Sequence, residues 1–392
     1  MTTYWGKIKG ILTKSQDLTA VGTGNIVSSA ISGIFWFYLA SLLGTEKYGE
    51  VSYFIAIAAV ASTISFLGAG NAIIVYTAKG EKIQAPMFFI SIISGIITSV
   101  AIFFMFSHIG VSFYIIGHVI FSLAIADLLG KKFYKSYTKH LIAQKILMVI
   151  LSLGFYYLFD VPGVVLGIAL SFFPHVFIIY KSWKESKMDF SMLRLRFGFI
   201  MNSYTLDLAR TFSYYTDRLI IMPIFGFVIL GNYQLGIQVL AILNIVPTIV
   251  YQYILPQDAS GNSNVKLRKL TIISSVILAI LGVILAPIIL PILFPEYIEA
   301  VEVVQIISIS VIPQTVNLLY ISKFLAKEIS KVVVIGSGVY VFIQILLIII
   351  LGEIFGVNGI AMSVLFASSA EAIFLILIKK ILYNSIDDLD KK

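Results

Sequence analysis

The chain has 392 residues, of which 59% are hydrophobic and only 12% charged, with a formal net charge of +8. A soluble domain carries about 25% charged residues, so this composition excludes an ordinary soluble enzyme or binding module. The basic charges sit in short segments between apolar runs and form no face for nucleic acid. There is no cysteine, which excludes disulfides and thiolate metal sites, and the four histidines make no ligand-spaced pair, so no metal or cofactor is expected.

From the N-terminus, Tyr4, Trp5, Ile8, Ile11 and Leu12 alternate with Lys7, Lys9 and Lys14. Segment 1–17 is either a short helix lying on the membrane surface or a polar tail. The apolar stretch that follows, 18–43, is longer than a signal-peptide core of roughly 7–15 residues. It opens a series of runs of about 20 residues, each long enough to cross a ~30 Å hydrocarbon layer. The series predicts spans at 18–43, 49–76, 86–107, 110–129, 141–159, 162–180, 198–223, 232–255, 270–292, 300–322, 332–351 and 358–378. The fold class is therefore all-α: a polytopic membrane protein of about twelve transmembrane helices. The expected domains are an N-lobe over 18–181, a cytoplasmic linker over 182–197, a C-lobe over 198–379 and a tail over 380–392.

Lys and Arg set the orientation. With the N-terminus in the cytoplasm, all of the 28 Lys and Arg residues fall on cytoplasmic segments except Lys47, Arg210 and Arg218. Both termini are then cytoplasmic. Reading 198–218 as a surface helix reverses everything downstream and moves the later lysine clusters outside, so the seventh span is kept as a crossing. An internal repeat supports two six-helix lobes. The turn Leu43-Gly44-Thr45-Glu46-Lys47-Tyr48-Gly49 matches Phe225-Gly226-Phe227-Val228-Ile229-Leu230-Gly231. Likewise, Phe159-Asp160-Val161-Pro162-Gly163 matches Phe355-Gly356-Val357-Asn358-Gly359.

The seventh span carries Asp207, Arg210, Asp217 and Arg218. At about 100° per residue, with Asp207 at zero, Arg210 lies near about −60°, Tyr214 about −20°, Asp217 about −80° and Arg218 about +20°. One charge at the bilayer centre costs roughly 2.5–3.5 kcal/mol, so this stripe must face protein or water. It is read as the wall of an aqueous lumen that receives substrate. The alternative is that Asp207–Arg210 and Asp217–Arg218 only neutralise each other. Asn25, Asn71, Asn244, Gln314 and Asn317 are further polar groups within spans, serving either the lumen or helix–helix hydrogen bonds. Glu371 is read either as a carrier of a coupling ion or as an ordinary buried contact. Asp127 and Lys131 read as a surface pair. His118 and His175 read as packed helix residues, and Pro174, Pro247 and Pro313 predict kinks.

Ala40-Ser41-Leu42-Leu43-Gly44-Thr45-Glu46-Lys47-Tyr48-Gly49, Gly68-Ala69-Gly70-Asn71-Ala72, Asp217-Arg218-Leu219-Ile220-Ile221 with Gly231-Asn232-Tyr233, and Phe294-Pro295-Glu296-Tyr297 carry a resemblance. Through them the chain resembles the polysaccharide-biosynthesis (Wzx-like) flippases of the multidrug/oligosaccharidyl-lipid/polysaccharide (MOP) exporter superfamily. That family often has arginines where Ser41 and Val75 stand, and a proline at Thr45. An anion site here would therefore rest on Arg210 and Arg218. The resemblance implies a MOP/MATE-like bundle in the cell (inner) membrane that moves a polyprenyl-phosphate- or diphosphate-linked oligosaccharide to the outer leaflet. Arg210 and Arg218 would attract phosphate, with Asp207, Asp217 and Tyr214 beside them. Membrane lipids, the glycan and other polysaccharide-assembly proteins are the implied partners. The alternatives are a multidrug cation antiporter, which needs lumen acids, and a membrane glycan polymerase or ligase, which needs larger external loops.

Overall fold

The computed structural model describes the backbone of residues 2–260 and 264–389, and the side chains of residues 21–260 and 264–381. The side chains of the N-terminal segment 1–17, read from sequence as interfacial, lie outside the described residues, as does most of the 380–392 tail. The described chain is all helix: α1 (Thr2–Phe66), α2 (Ala69–Ala78), α3 (Gln84–Phe106), α4 (Ile109–Gly130), α5 (Tyr134–Leu170), a 3-10 turn (Phe173–His175), α6 (Val176–Glu185), α7 (Ser191–Leu195), α8 (Phe197–Leu243), α9 (Ile245–Ala259), α10 (Val265–Leu293), α11 (Ala300–Ile309), α12 (Val311–Ala326) and α13 (Ser330–Leu389).

Among the described residues, eight stretches are long and apolar enough to cross a membrane, and four of them are 46 to 52 residues long. A crossing needs only about 20 residues. Each long stretch contains one residue with non-helical dihedrals, which folds it into a hairpin of two crossings: Gly44, Asp160, Gly226 and Gly356. Twelve crossings result, as the sequence predicts. The reversals are tighter than expected, since helix resumes directly after a single residue instead of after a loop.

These reversals confirm the repeat in backbone geometry. Gly44 has φ 70° and ψ −178°, and its counterpart Gly226 has φ 83° and ψ 177°. Asp160 has φ 56° and ψ −143°, against φ 57° and ψ −138° at Gly356. Positive φ strains a side chain with Cβ, and three of the four positions are glycine. Asp160 is the one of the four that carries a Cβ in this conformation, which glycine otherwise dominates. Proline sets three further interruptions. Its ring displaces the carbonyl four residues earlier. Helices α5, α8 and α11 end at Leu170, Leu243 and Ile309, each four residues before Pro174, Pro247 or Pro313.

By contact the chain divides into two compact units, Met1–Trp36 with Tyr53–Tyr215, and Phe37–Ser52 with Thr216–Lys392. The first unit therefore includes the linker and the first half of α8. Its core gathers Ile73, Phe88, Val119, Leu123 and Ile179 from α2, α3, α4 and α6, with Ile83 just before α3. Small residues allow close backbone approach: a Cβ on Gly130 would lie 2.8 Å from Thr77 Cβ and 3.0 Å from the Ile73 carbonyl. Asp127 is not the surface partner that the sequence reading expects. It is fully buried, accepts a hydrogen bond from Ser182 Oγ at 2.5 Å and one from Gln84 Nε2 at 3.4 Å, and pairs with Lys131 at 3.1 Å. Lys131 also reaches Glu185 at 2.7 Å. Sequence spacing gave only the i,i+4 pair, and the burial comes from α3 and α6 closing over it.

In the second unit the reversal at Gly44 is fastened to the later spans. The Tyr297 hydroxyl lies 2.9 Å from the carbonyls of both Ala40 and Gly44 and donates to them, and Ser41 Oγ donates to the Leu293 carbonyl at 3.2 Å. Gly49 and Gly231, each five residues after its reversal, pack reciprocally. A Cβ on Gly49 would collide with the Phe227 carbonyl, and one on Gly231 with the Thr45 carbonyl. Overpacking of this kind costs about 1–3 kcal/mol. Gly231→Ala is therefore expected to lower the melting temperature of the purified protein. Gly338→Ala, whose Cβ meets nothing within 4 Å, should leave it unchanged or raise it slightly. Equal effects would contradict the reciprocal packing.

Candidate functional site

The first half of α8 runs antiparallel to the α1–α2 segment, and a series of contacts holds it there. Arg196 reaches Glu81 with two hydrogen bonds, 3.2 and 2.8 Å, and its guanidinium lies 4.9 Å over the Tyr76 ring. Phe199 meets Tyr76 edge-on at 5.4 Å. Leu67 and Gly68 carry positive φ and separate α1 from α2. A Cβ at Gly68 would stand 2.5 Å from the Ile200 carbonyl and 2.7 Å from Tyr204 N. Glycine at this break is what lets the two backbones touch. The Tyr204 hydroxyl donates to the Ile64 carbonyl at 3.3 Å, and Thr63 and Thr211 share a hydrogen bond of 3.1 Å.

This docking brings Asp207, Arg210 and Thr211 to a cavity of about 390 Å³ within the first unit. That is in the usual range for small-molecule sites, about 300–1,000 Å³. Thr63, Phe66, Gly70, Asn71 and Ile74 form one wall on α1 and α2, and His118, Phe121, Ser122, Ile125, Ala126 and Leu129 form another on α4. Within the described residues, neither Asp207 nor Arg210 makes an ion pair or a hydrogen bond, and the same holds for the side chains of Asn71 and Ser122. Asp207 and Arg210 feel each other's charge without closing a bridge, which counts against mutual neutralisation as their whole role.

The seventh-span stripe is shared between the two units. Asp217 and Arg218 belong to the second unit and are buried, 7% and 5% exposed. Asp217 Oδ2 accepts the Tyr233 hydroxyl at 2.7 Å, and its Oδ1 accepts the Arg218 backbone N–H at 2.7 Å. Tyr214 is exposed, with its ring 4.8 Å from that of Tyr215, and it is not part of the cavity wall. Several other sequence candidates are held by protein partners. Asn25 accepts from the Tyr137 hydroxyl at 2.9 Å. Asn244 donates to Gln314 at 2.6 Å, tying together the proline breaks of α8–α9 and α11–α12. Glu371 is 8% exposed and accepts from Asn317 at 2.9 Å, while its other oxygen lies 3.7 Å from a Cβ position on Gly336. Sequence reading set His118 aside as a packing residue, whereas the structure puts it on the cavity wall with Ser122. Their one-turn spacing on α4 was the available signal.

No protein-family model and no curated protein sequence matches the chain. Solved structures do. The lipid II flippase MurJ in an inward closed conformation superposes with a TM-score of 0.76 at 13% identity, covering 92% of this chain and 87% of that one. An inward-facing multidrug resistance MATE family transporter of the MOP superfamily gives 0.66 at 13% identity, with 92% and 95% covered. An outward-facing member gives 0.57 at 12% identity, with 95% and 96% covered.

Because the chain has no cysteine, single introduced thiols report the cavity directly. Asn71→Cys and Ser122→Cys are expected to react with a water-soluble maleimide in permeabilised membranes. Ile73→Cys and Leu123→Cys, at fully buried positions, are expected to resist it. Uniform labelling, or none, would contradict the cavity. Span count, paired reversals and coverage together give this chain the fold that MurJ and the MATE transporters of the MOP superfamily share.

Proposed function

We propose that this protein is a flippase that carries a polyprenyl-phosphate- or diphosphate-linked oligosaccharide from the cytoplasmic to the outer leaflet by alternating access. The observation that carries the reading is Arg210, a membrane-embedded guanidinium without a protein partner among the described residues, facing a cavity beside Asp207 and Asn71. A charge left unpaired in a span requires water or a ligand, and the planar guanidinium matches phosphate oxygens. Asp207, Asn71 and Thr211 offer hydrogen-bonding groups to sugar hydroxyls, and Phe66 and Phe121 offer ring faces. The isoprenoid tail stays in lipid. Arg218 and Asp217 serve a later stage of transit in the second unit, and Glu371, held by Asn317, carries a coupling ion. The placement supporting this direction is an inner membrane with both termini in the cytoplasm. An inside-negative potential then favours outward movement of negative charge by about 2.3 kcal/mol per charge per 100 mV. Polysaccharide-assembly proteins are the expected partners.

A second reading, a MATE-type cation antiporter, is favoured by Asp207, an unpaired acid on the same cavity. The two readings separate in cells. Arg210→Ala removes charge-assisted hydrogen bonds worth about 1.5–3 kcal/mol, so lipid-linked glycan is expected to accumulate on the cytoplasmic side while surface glycan falls at least about tenfold. Normal surface glycan in this variant, with a deletion strain hypersensitive to lipophilic cations, would reject the flippase reading in favour of the antiporter.

A further inference from the structure

His118 and His175 have different surroundings. His175 is tied off by the backbone: Nδ1 lies 2.9 Å from the Phe172 carbonyl and Nε2 lies 3.4 Å from the His140 carbonyl. His118 has no such partners. Its ring stacks on Tyr114 at 5.6 Å and 10°, and meets Phe172 edge-on at 5.6 Å and 83°. These contacts hold the ring in place, yet neither occupies a ring nitrogen, and no described residue hydrogen-bonds to it. His118 is half-buried, and an imidazole withdrawn from bulk water normally finds partners for its nitrogens. This one stands instead on the cavity wall, on the α4 face that also carries Ser122, while Arg210 lines the same cavity from α8. The charged and titratable groups around it are Asp207 and Arg210 on α8, Tyr114 on its own helix, and Lys145 on α5, which lies within electrostatic reach of the ring. The cavity wall on α1 and α2 supplies none.

We infer that His118 is a second anion ligand of this cavity and that, together with Arg210, it clamps a phosphate group between α4 and α8. The inference rests on the proposed flippase reading and deepens it. A neutral imidazole donates one N–H to a phosphate oxygen. A protonated imidazole adds a charge, and charge-assisted hydrogen bonds are roughly twice as strong as neutral ones. Anion binding is therefore linked to proton uptake at this ring, and affinity through His118 rises as the pH falls.

The test is binding of farnesyl diphosphate to the purified full-length protein in nanodiscs at pH 8 and pH 5.5. The wild type is compared with His118→Gln, which keeps an N–H donor but cannot take up a proton. Comparison at each pH cancels titration of the ligand. The ratio of wild-type to His118→Gln affinity is expected to be near one at pH 8 and to reach about tenfold at pH 5.5. His118→Phe retains the ring contacts to Tyr114 and Phe172 and is expected to bind more weakly than the wild type at both values. A flat ratio, or wild-type behaviour of His118→Phe, overturns the role of His118. If Arg210→Gln abolishes binding while the His118 ratio stays flat, only this inference fails. If the wild type does not bind the diphosphate at either pH, the flippase reading fails and takes the inference with it.

Discussion

Charge in hydrocarbon is the constraint on which this structure turns. A lone ion at the bilayer centre costs several kcal/mol, so each charged side chain in a span must be paired, solvated or held for a ligand. The chain uses more than one of these solutions. Asp127 is enclosed in a knot with Lys131, Ser182 and Gln84. Asp217 is bonded to Tyr233. Asp207 and Arg210 are left at a cavity with no described partner. The pair left open is where a ligand can be met without first breaking a contact within the protein.

The scaffold that places this pair follows from glycine and proline. Single-residue reversals at Gly44, Asp160, Gly226 and Gly356 make twelve crossings with almost no loop. Their matched dihedrals show two reversal geometries, each used once in each half. Gly68 removes the side chain that would hold α8 away from α1 and α2, and the contacts from Arg196–Glu81 to Thr63–Thr211 then fix the angular position of Arg210. The cavity is thus a consequence of where one helix is allowed to touch another.

Much of the fold was legible in the sequence because membrane rules act on composition. Run length gave the spans, and the two glycine-bearing motifs gave the repeat. Pro174, Pro247 and Pro313 marked their kinks correctly, since the lost hydrogen bond is local. The site was less legible because facing is set by tertiary docking. A helical wheel placed Asp207 through Arg218 on one stripe, yet α8 passes from one compact unit to the other between Tyr215 and Thr216, and the stripe is divided there. A wheel cannot register which neighbour a helix has along its length. The same limit made Asp127 look like a surface residue and His118 like filler. Asn71 was recognised as a polar residue in a span, but its equivalence in kind to Asn25 or Asn244 ended once the partners of the other two were visible.

The central claim is that Arg210 faces water within the membrane-embedded part of the molecule. Spin labelling tests it most directly: a nitroxide at position 210 in the cysteine-free chain, reconstituted in bilayers, with its collision rates measured against a water-soluble nickel chelate and against oxygen. The account predicts that the nickel chelate dominates at 210, while oxygen dominates at Ile97, an exposed apolar position on α3. Dominance of oxygen at 210 would place Arg210 against acyl chains and contradict the account.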